Sequence, residues 1–367
     1  MVIDSWDDAA NGAVISTHRF TEMLREGGHT VTILATGTPA PGKVVLPTFY
    51  IPFANNIMRK MRLPFAWPTP AIVDATIAAQ DVVHVQFPFY VSMKAIAAAK
   101  RLGKPVVSTF HVQAEHLLYN IGIRNQRMVE AVYRFFLRTI YDRSDHVVCP
   151  SAFAEKELRT RGLTPQSSVI SNGVPPEFRP VPRGGAPDFG GKFVLLSVGR
   201  LAREKRHELV IDAVRRSRHR DRIQLVILGD GPLRDELEGK GSDLPNAPVF
   251  NFLKKDELIH WYGAGDLCVH ASEVEVECMS VLEAQACGLP CLIANSPRSA
   301  TPQFAISPDY LFDSGNVESL VQKLDALIDQ PARLQADREA STRAAAQYSI
   351  EASLEKLLGV YRQVTTR

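Results

Sequence analysis

Two glutamates eight positions apart, Glu275 and Glu283, stand on either side of a helix start in HASEVEVECMSVLEAQACGLP, just after a β-branched run at Leu267–Val269. A helix amino terminus offers unpaired backbone N–H groups and a partial positive charge, both suited to a phosphate. Carboxylates nearby accept hydrogen bonds from sugar and ribose hydroxyls. Taken singly, each glutamate fits a solvated acidic loop ahead of a capped helix better than it fits a site. A second cluster lies in SVGRLAREK, where a strand ends at Val198 and Arg200 and Lys205 follow in the turn entering a helix. Fixed cations in a dry site would stabilise the charge that develops on a departing nucleoside diphosphate. Solvated basic residues beside Glu204 are the commoner fate of such a pair.

Three weaker signals accompany these. Asn11-Gly12 lies in the loop entering the first helix, where the missing side chain of Gly12 would let a phosphate approach the backbone; a plain tight turn fits as well. The run VVSTFHVQAEH carries His111 past a strand end, placed to donate to a sugar hydroxyl, although a lone histidine is more often a satisfied structural residue. The GDGP stretch, Gly229–Pro232, lacks the third glycine and the spacing of a dinucleotide fingerprint and reads as a generic strand-to-helix turn.

Residues of this kind need strand ends and helix starts to hold them, and the chain repeats short β-branched runs followed by amphipathic stretches, the pattern of an α/β fold with parallel strands. Strands are expected at Val2–Asp4, Thr30–Leu34, Val82–Val85, Pro105–Phe110, His146–Cys149 and Ser168–Ile170. A second series is expected at Phe193–Val198, Gln224–Leu228, Val249–Phe250, Leu267–Val269 and Pro290–Ile293. A length of 367 residues suits two domains. The Pro/Gly-rich stretch divides them, giving a first domain over 1–180, a linker over 181–192, a second domain over 193–348 and a closing helix over 349–367 expected to pack back on the first domain. Two Rossmann-like domains of this sort, facing across a cleft, would bind a ligand beyond the carboxyl ends of their strands.

With 45% hydrophobic and 22% charged residues the chain reads as a folded enzyme rather than a disordered one. Residues 1–180 hold 19 lysines and arginines against 14 acidic residues, and the remainder 23 against 26, too small an imbalance to indicate nucleic acid. Five cysteines without paired spacing indicate a reducing compartment, no disulfide framework and no metal site. Because Val2–Trp6 reads as a strand, no signal peptide is expected, and no apolar run approaches the roughly 20 residues of a membrane span.

Together these stretches carry a resemblance. In order, NGAVIST with GGHTV, HVQFPF, STFHVQAEH, CPSAFAEKEL, ISNGVPPEFRP, SVGRLAREK, ILGDGPL, EVECMSVLEAQACGLP and a closing helix with YR look like the retaining glycosyltransferases of family four, which have the GT-B fold and a Glu, seven residues, Glu signature. The resemblance covers nearly the whole chain and places further residues ahead of Met1. It implies a hexosyltransferase using a nucleotide-sugar donor without a metal or other cofactor. Arg200 and Lys205 would hold the diphosphate and Glu283 the ribose. Glu275 would lie by the donor sugar, the backbone of Cys278, Met279 and Ser280 by sugar and phosphates, and Gly12 by the phosphates. His111 would lie near the reacting carbon and Leu253 against the base. The family's usual loop is Glu-Gly-Phe-Gly, whereas this chain has Glu275-Val276-Glu277-Cys278, which leaves the donor sugar open.

Within that family HVQFPF, FHVQAEH, the EVECMSVLEA loop and NSPRSATPQFA look closest to bacterial diacylglycerol glucosyltransferases. The resemblance then implies transfer of glucose from a UDP-linked donor to a membrane lipid such as diacylglycerol, by a cytoplasmic protein peripheral on the inner face of the membrane. In NNIMRKMRLPFAW, residues 55–67, Arg59, Lys60 and Arg62 alternate with apolar residues up to Trp67, which suits an anionic membrane surface. Arg134, Phe135, Phe136 and Arg138 form a second such stretch, for which an ordinary core helix with a basic face fits nearly as well. The rival readings are a transferase for a soluble sugar or phosphoinositol-type acceptor, an inactive GT-B binding protein, and a sugar-nucleotide epimerase of related architecture.

Overall fold

The computed structural model describes residues 1–8, 11–49, 65–184, 186–253 and 255–366. The chain forms two compact units, Met1–Asn172 with Glu351–Arg367, and Gly173–Ile350. The changeover falls at 172, ahead of the boundary expected near 180, because Val174 and Phe178 are buried in an apolar cluster of the second unit with Tyr262 and Leu282. Val181 and Phe189, inside the expected linker, also pack against that cluster.

The first unit contains β1 (Ile33–Ala35), β2 (Lys43–Val45), β3 (Thr48–Phe49), β4 (Phe65–Ala66), β5 (Val83–Val85), β6 (Val106–Thr109), β7 (His146–Cys149) and β8 (Gln166–Val169). Strands β5-β6-β7-β8 are parallel, and β1 pairs with β2 in parallel. The strand expected at Val2–Asp4 reduces to a single pairing position. Val2 bridges Leu34 and Val85, which gives the order β2-β1-Val2-β5-β6-β7-β8. By Asp4 the chain is held by other groups: its carbonyl accepts from Thr36 Oγ1 at 2.7 Å and its carboxylate from the Ala66 N–H at 3.1 Å. Burial of that carboxyl raises its pKa to about 7. The closing helix, Ile350–Thr365, lays Leu357, Val360 and Val364 against Phe20, Val107, Val148 and Ile170 of the same unit.

The second unit contains β9 (Phe193–Val198), β10 (Ile223–Leu228), β11 (Val249–Asn251), β12 (Leu267–His270), β13 (Cys291–Asn295) and β14 (Leu311–Asp313) in one parallel sheet, β11-β10-β9-β12-β13-β14. Apolar runs such as IQLVIL in β10 are buried along their whole length, as strands covered on both faces must be. Their alternate residues separate accordingly: Leu195, Ile227, Val269 and Leu292 enter one cluster, and Leu196, Val226, Cys268 and Ile293 the other. Both sheets reverse direction beside their first strand. In the second unit that point lies between β9 and β12, and ligands of such sheets bind outside the carboxyl ends of the strands there.

Candidate functional site

β9 runs out into Gly199, whose φ of +153° is open to glycine and rare for other residues. The GDGP turn after β10 lies directly on this exit. A Cβ on Gly229 would stand 1.8 Å from the Gly199 carbonyl oxygen, and one on Gly231 2.5 Å from that of Leu201. Both glycines thus serve close backbone packing, with Leu201 N–H donating to Asp230 O at 3.0 Å. A short turn, Arg203–Lys205, then leads to the helix His207–Arg216. The neutral His207 ring fixes this exit: Nε2–H donates to Arg200 O at 3.2 Å, so Nδ1 accepts from Ser197 Oγ at 2.9 Å.

The loop after β12 is fastened to the same turn. Ser272 Oγ and the Glu273 N–H donate to Glu204 O at 3.1 and 3.0 Å, and Arg206 pairs with Glu273. Glu275 is buried, its carbonyl accepting from Ala300 N–H at 2.8 Å, and its carboxylate pairs with Lys205. Burial opposes the ammonium charge of Lys205, but Glu275 and Cys278 beside it raise its pKa above the usual lysine value. His270, the last residue of β12, places Nε2 3.2 Å from Glu275 Oε1 and 3.4 Å from Cys278 Sγ. Burial opposes charge on this ring too, yet Cys278 and Glu275 raise its pKa to about 10. Cys278 then caps the helix Met279–Ala286 from a φ of +152°, a conformation that side chains rarely adopt.

In the second unit, therefore, Arg200, Lys205, Glu275 and the Cys278–Ser280 backbone gather at the β9/β12 switch point. Met279 and Ser280 are half-buried in the first turn of their helix. Glu283 is buried one turn further on and raises the pKa of Tyr262, which burial already raises. Leu253 is half-buried against the apolar cluster that contains Val226 and Tyr262.

Gly12 and His111 belong to the first unit. Gly12 is the exposed first residue of the helix Gly12–Glu26, capped by Asn11 Oδ1 accepting from Ala13 N–H at 3.0 Å. His111 Nε2 lies 3.1 Å from Gln86 Oε1, in a cavity it shares with Thr109, Ser16 and Asn172, and burial lowers its pKa to about 4. Trp67 is exposed beside Phe49 and Tyr90, while Arg59, Lys60 and Arg62 lie outside the described residues.

Sequence reasoning missed His270 and His207. His270 reads as one more residue of a buried strand, and its one signal is its place at the strand's carboxyl end. Cys287 and Cys291 are buried free thiols. Cys278 is buried as well, in the apolar cluster with Val281 and Leu282, and lies beside His270.

Three buried histidines held neutral, His84, His111 and His207, give a pH prediction. Burial, then Lys205 and His270, lower the His207 pKa from 6.5 to about 3, and burial lowers that of His111 to about 4. Below pH 6.5 the unfolded chain protonates these rings while the folded chain keeps them neutral, so the stability they contribute is full above pH 6.5 and falls as pH drops towards 4. In urea unfolding, the midpoint of His207→Gln should move upward relative to that of the unmodified protein as pH is taken from 7.5 to 5.0.

Sequence models of two families match along the chain: Glycosyltransferase Family 4 over residues 10–178 and Glycosyl transferases group 1 over residues 184–347. The chain is a GT4-type glycosyltransferase. This glycosyltransferase is 27% identical over 318 residues to a GDP-mannose-dependent alpha-mannosyltransferase of Corynebacterium glutamicum, across 82% of this chain and 72% of that protein. It is 25% identical over 319 residues to an alpha-monoglucosyldiacylglycerol synthase of Streptococcus pneumoniae, across 80% and 70%. Among solved structures, Anabaena HepE in complex with UDP and glucose superposes with a TM-score of 0.79 at 16% identity, covering 99% of this chain and 98% of that one. The glycosyltransferase has the GT-B fold and is a hexosyltransferase. Among the described residues no helix is long and apolar enough to cross a membrane.

Proposed function

We propose that this glycosyltransferase moves glucose from UDP-glucose to the hydroxyl of a membrane lipid such as diacylglycerol, keeping the anomeric configuration. The observation that carries the reading is the Lys205–Glu275 pair at the β9/β12 switch point, where the turn that follows Arg200 and the amino terminus of Met279–Ala286 also lie. Arg200, Lys205 and the helix terminus stabilise the leaving diphosphate, and no metal takes part. The acceptor hydroxyl attacks on the face from which the diphosphate departs, and the departing phosphate takes its proton. His111, uncharged at neutral pH, donates to a sugar hydroxyl, and Glu283 accepts from the ribose.

Support for a lipid acceptor comes from the first unit. Phe49, Trp67 and Tyr90 form an exposed aromatic group with ring centroids 5.2 and 5.9 Å apart, and Lys94 stands 5.1 Å from the Tyr90 ring. The helix Gln126–Thr139 buries Val129, Tyr133, Phe136 and Leu137 and leaves Arg127, Arg134, Phe135 and Arg138 exposed, so its inner face is core and its outer face basic and aromatic. Such surfaces suit an anionic interface. The pneumococcal relative named for a glucosyldiacylglycerol points the same way, and the corynebacterial mannosyltransferase makes GDP-mannose the competing donor.

The test is sedimentation with anionic vesicles beside turnover on a short-chain, water-soluble acceptor. Changing Arg59, Lys60, Arg62 and Trp67 together to Ser should weaken vesicle binding by up to about 1 kcal/mol per charge and flatten its salt dependence, with soluble-acceptor turnover retained. Unaltered vesicle binding would count against the lipid acceptor and for a soluble one.

A further inference from the structure

His270, Glu275 and Cys278 come from a strand end, a loop and a helix cap, and their ligand atoms all lie within 4.8 Å of one another, each residue buried. In a tetrahedral zinc site with metal–sulfur and metal–nitrogen bonds of about 2.3 and 2.0 Å, neighbouring ligand atoms stand roughly 3.3 to 3.6 Å apart. Here Cys278 Sγ to His270 Nε2 is 3.4 Å and His270 Nε2 to Glu275 Oε1 is 3.2 Å. One sulfur, one imidazole nitrogen and one carboxylate oxygen form a donor set suited to a borderline-soft divalent cation and poorly suited to magnesium or calcium. The thiol is held at this corner from a backbone conformation that would cost glycine nothing, so its side chain, not its backbone, distinguishes the position. Ser280 Oγ lies 3.4 Å from the Cys278 sulfur, and the Lys205 ammonium is paired to the same Glu275. A cation in the site and that ammonium compete for one carboxylate.

We propose that His270, Glu275 and Cys278 bind a single zinc-like divalent cation, and that its binding shuts the enzyme off by taking Glu275 from Lys205. On binding, the Cys278 sulfur and the imidazole give any protons they carry to solvent, and the metal forms bonds to sulfur, nitrogen and oxygen while the Lys205–Glu275 pair opens. The inhibitory half rests on the donor site proposed above; the binding half does not.

Equilibrium dialysis of the full reduced chain against Zn²⁺, and titration with Co²⁺ followed by absorption, test the binding half. One ion per chain and a thiolate-to-cobalt absorption band are expected, with affinity reduced by about 100-fold or more in His270→Ala and Cys278→Ser. Cys278→Gly, which the backbone accepts without strain, should lose the band as well, while Cys268→Ser, a buried thiol on the same strand, should keep it. No cobalt–thiolate band, or a band that survives in Cys278→Gly or vanishes in Cys268→Ser, would overturn the site. For the inhibitory half, Zn²⁺ should abolish sugar transfer by the unmodified protein, a chelator should restore it, and higher donor concentration should demand more zinc. Stoichiometric binding through these ligands without loss of turnover would overturn the inhibition and leave the metal site standing.

Discussion

Lys205→Ala is expected to lower kcat by about 100-fold or more, and Arg200→Ala by a similar factor. The two cations act when the bond between sugar and diphosphate breaks, so they stabilise a charge present chiefly in the transition state, and their loss should appear in kcat more than in donor KM. Lys205 is the more exposed to a competing explanation, because its removal also strips a buried carboxylate of one of its partners. Thermal unfolding of the variant separates the two: assays well below its melting temperature should still show the full loss of rate. Arg200 is half-buried, and His207 holds its backbone through the carbonyl, so truncating the guanidinium leaves that support in place. A double variant with near-normal turnover would remove the assignment.

Glu283→Ala should raise the donor KM roughly 5- to 150-fold, as expected when a buried diol loses acceptors worth about 1 to 3 kcal/mol. Glu283 is buried within Met279–Ala286, the helix whose amino terminus faces the proposed diphosphate. Its effect should therefore be confined to the nucleotide: binding of the free nucleoside diphosphate should weaken by a similar factor, while association with vesicles stays unchanged. An unchanged KM accompanied only by lower thermal stability would make Glu283 a packing residue beside Tyr262.

Much of this arrangement was legible in the chain because the central strands are continuous apolar runs and the reactive residues follow them directly. β9, β10, β12 and β13 lie within a residue or two of their expected limits, and the helix expected to start near Met279 or Ser280 starts at Met279. The strands that escaped, β2, β3, β4 and β14, are two or three residues long, and none is buried throughout, so they show no periodicity that a sequence could display. The unit boundary escaped because Val174 and Phe178 sit among prolines and polar residues, and only packing reveals which core they join. His270 and Cys278 escaped for a different reason. Their meeting depends on the left-handed turn at Cys278, where the family signature has glycine and where a side chain is not expected to point anywhere useful. Gly229 shows the converse, a glycine whose role is fixed by the backbone of Gly199 against it and not by any ligand.

Transfer itself gives the most direct measurement. The protein would be incubated with UDP-glucose and, separately, GDP-mannose in the presence of vesicles containing diacylglycerol, with nucleoside diphosphate release quantified beside the mass and anomeric configuration of the lipid product. The expected result is UDP released one for one with an α-linked glucolipid, formed in the presence of a chelator as fast as without it. A β-linked product, or no release of nucleoside diphosphate from either donor, would contradict retaining sugar transfer at the β9/β12 switch point.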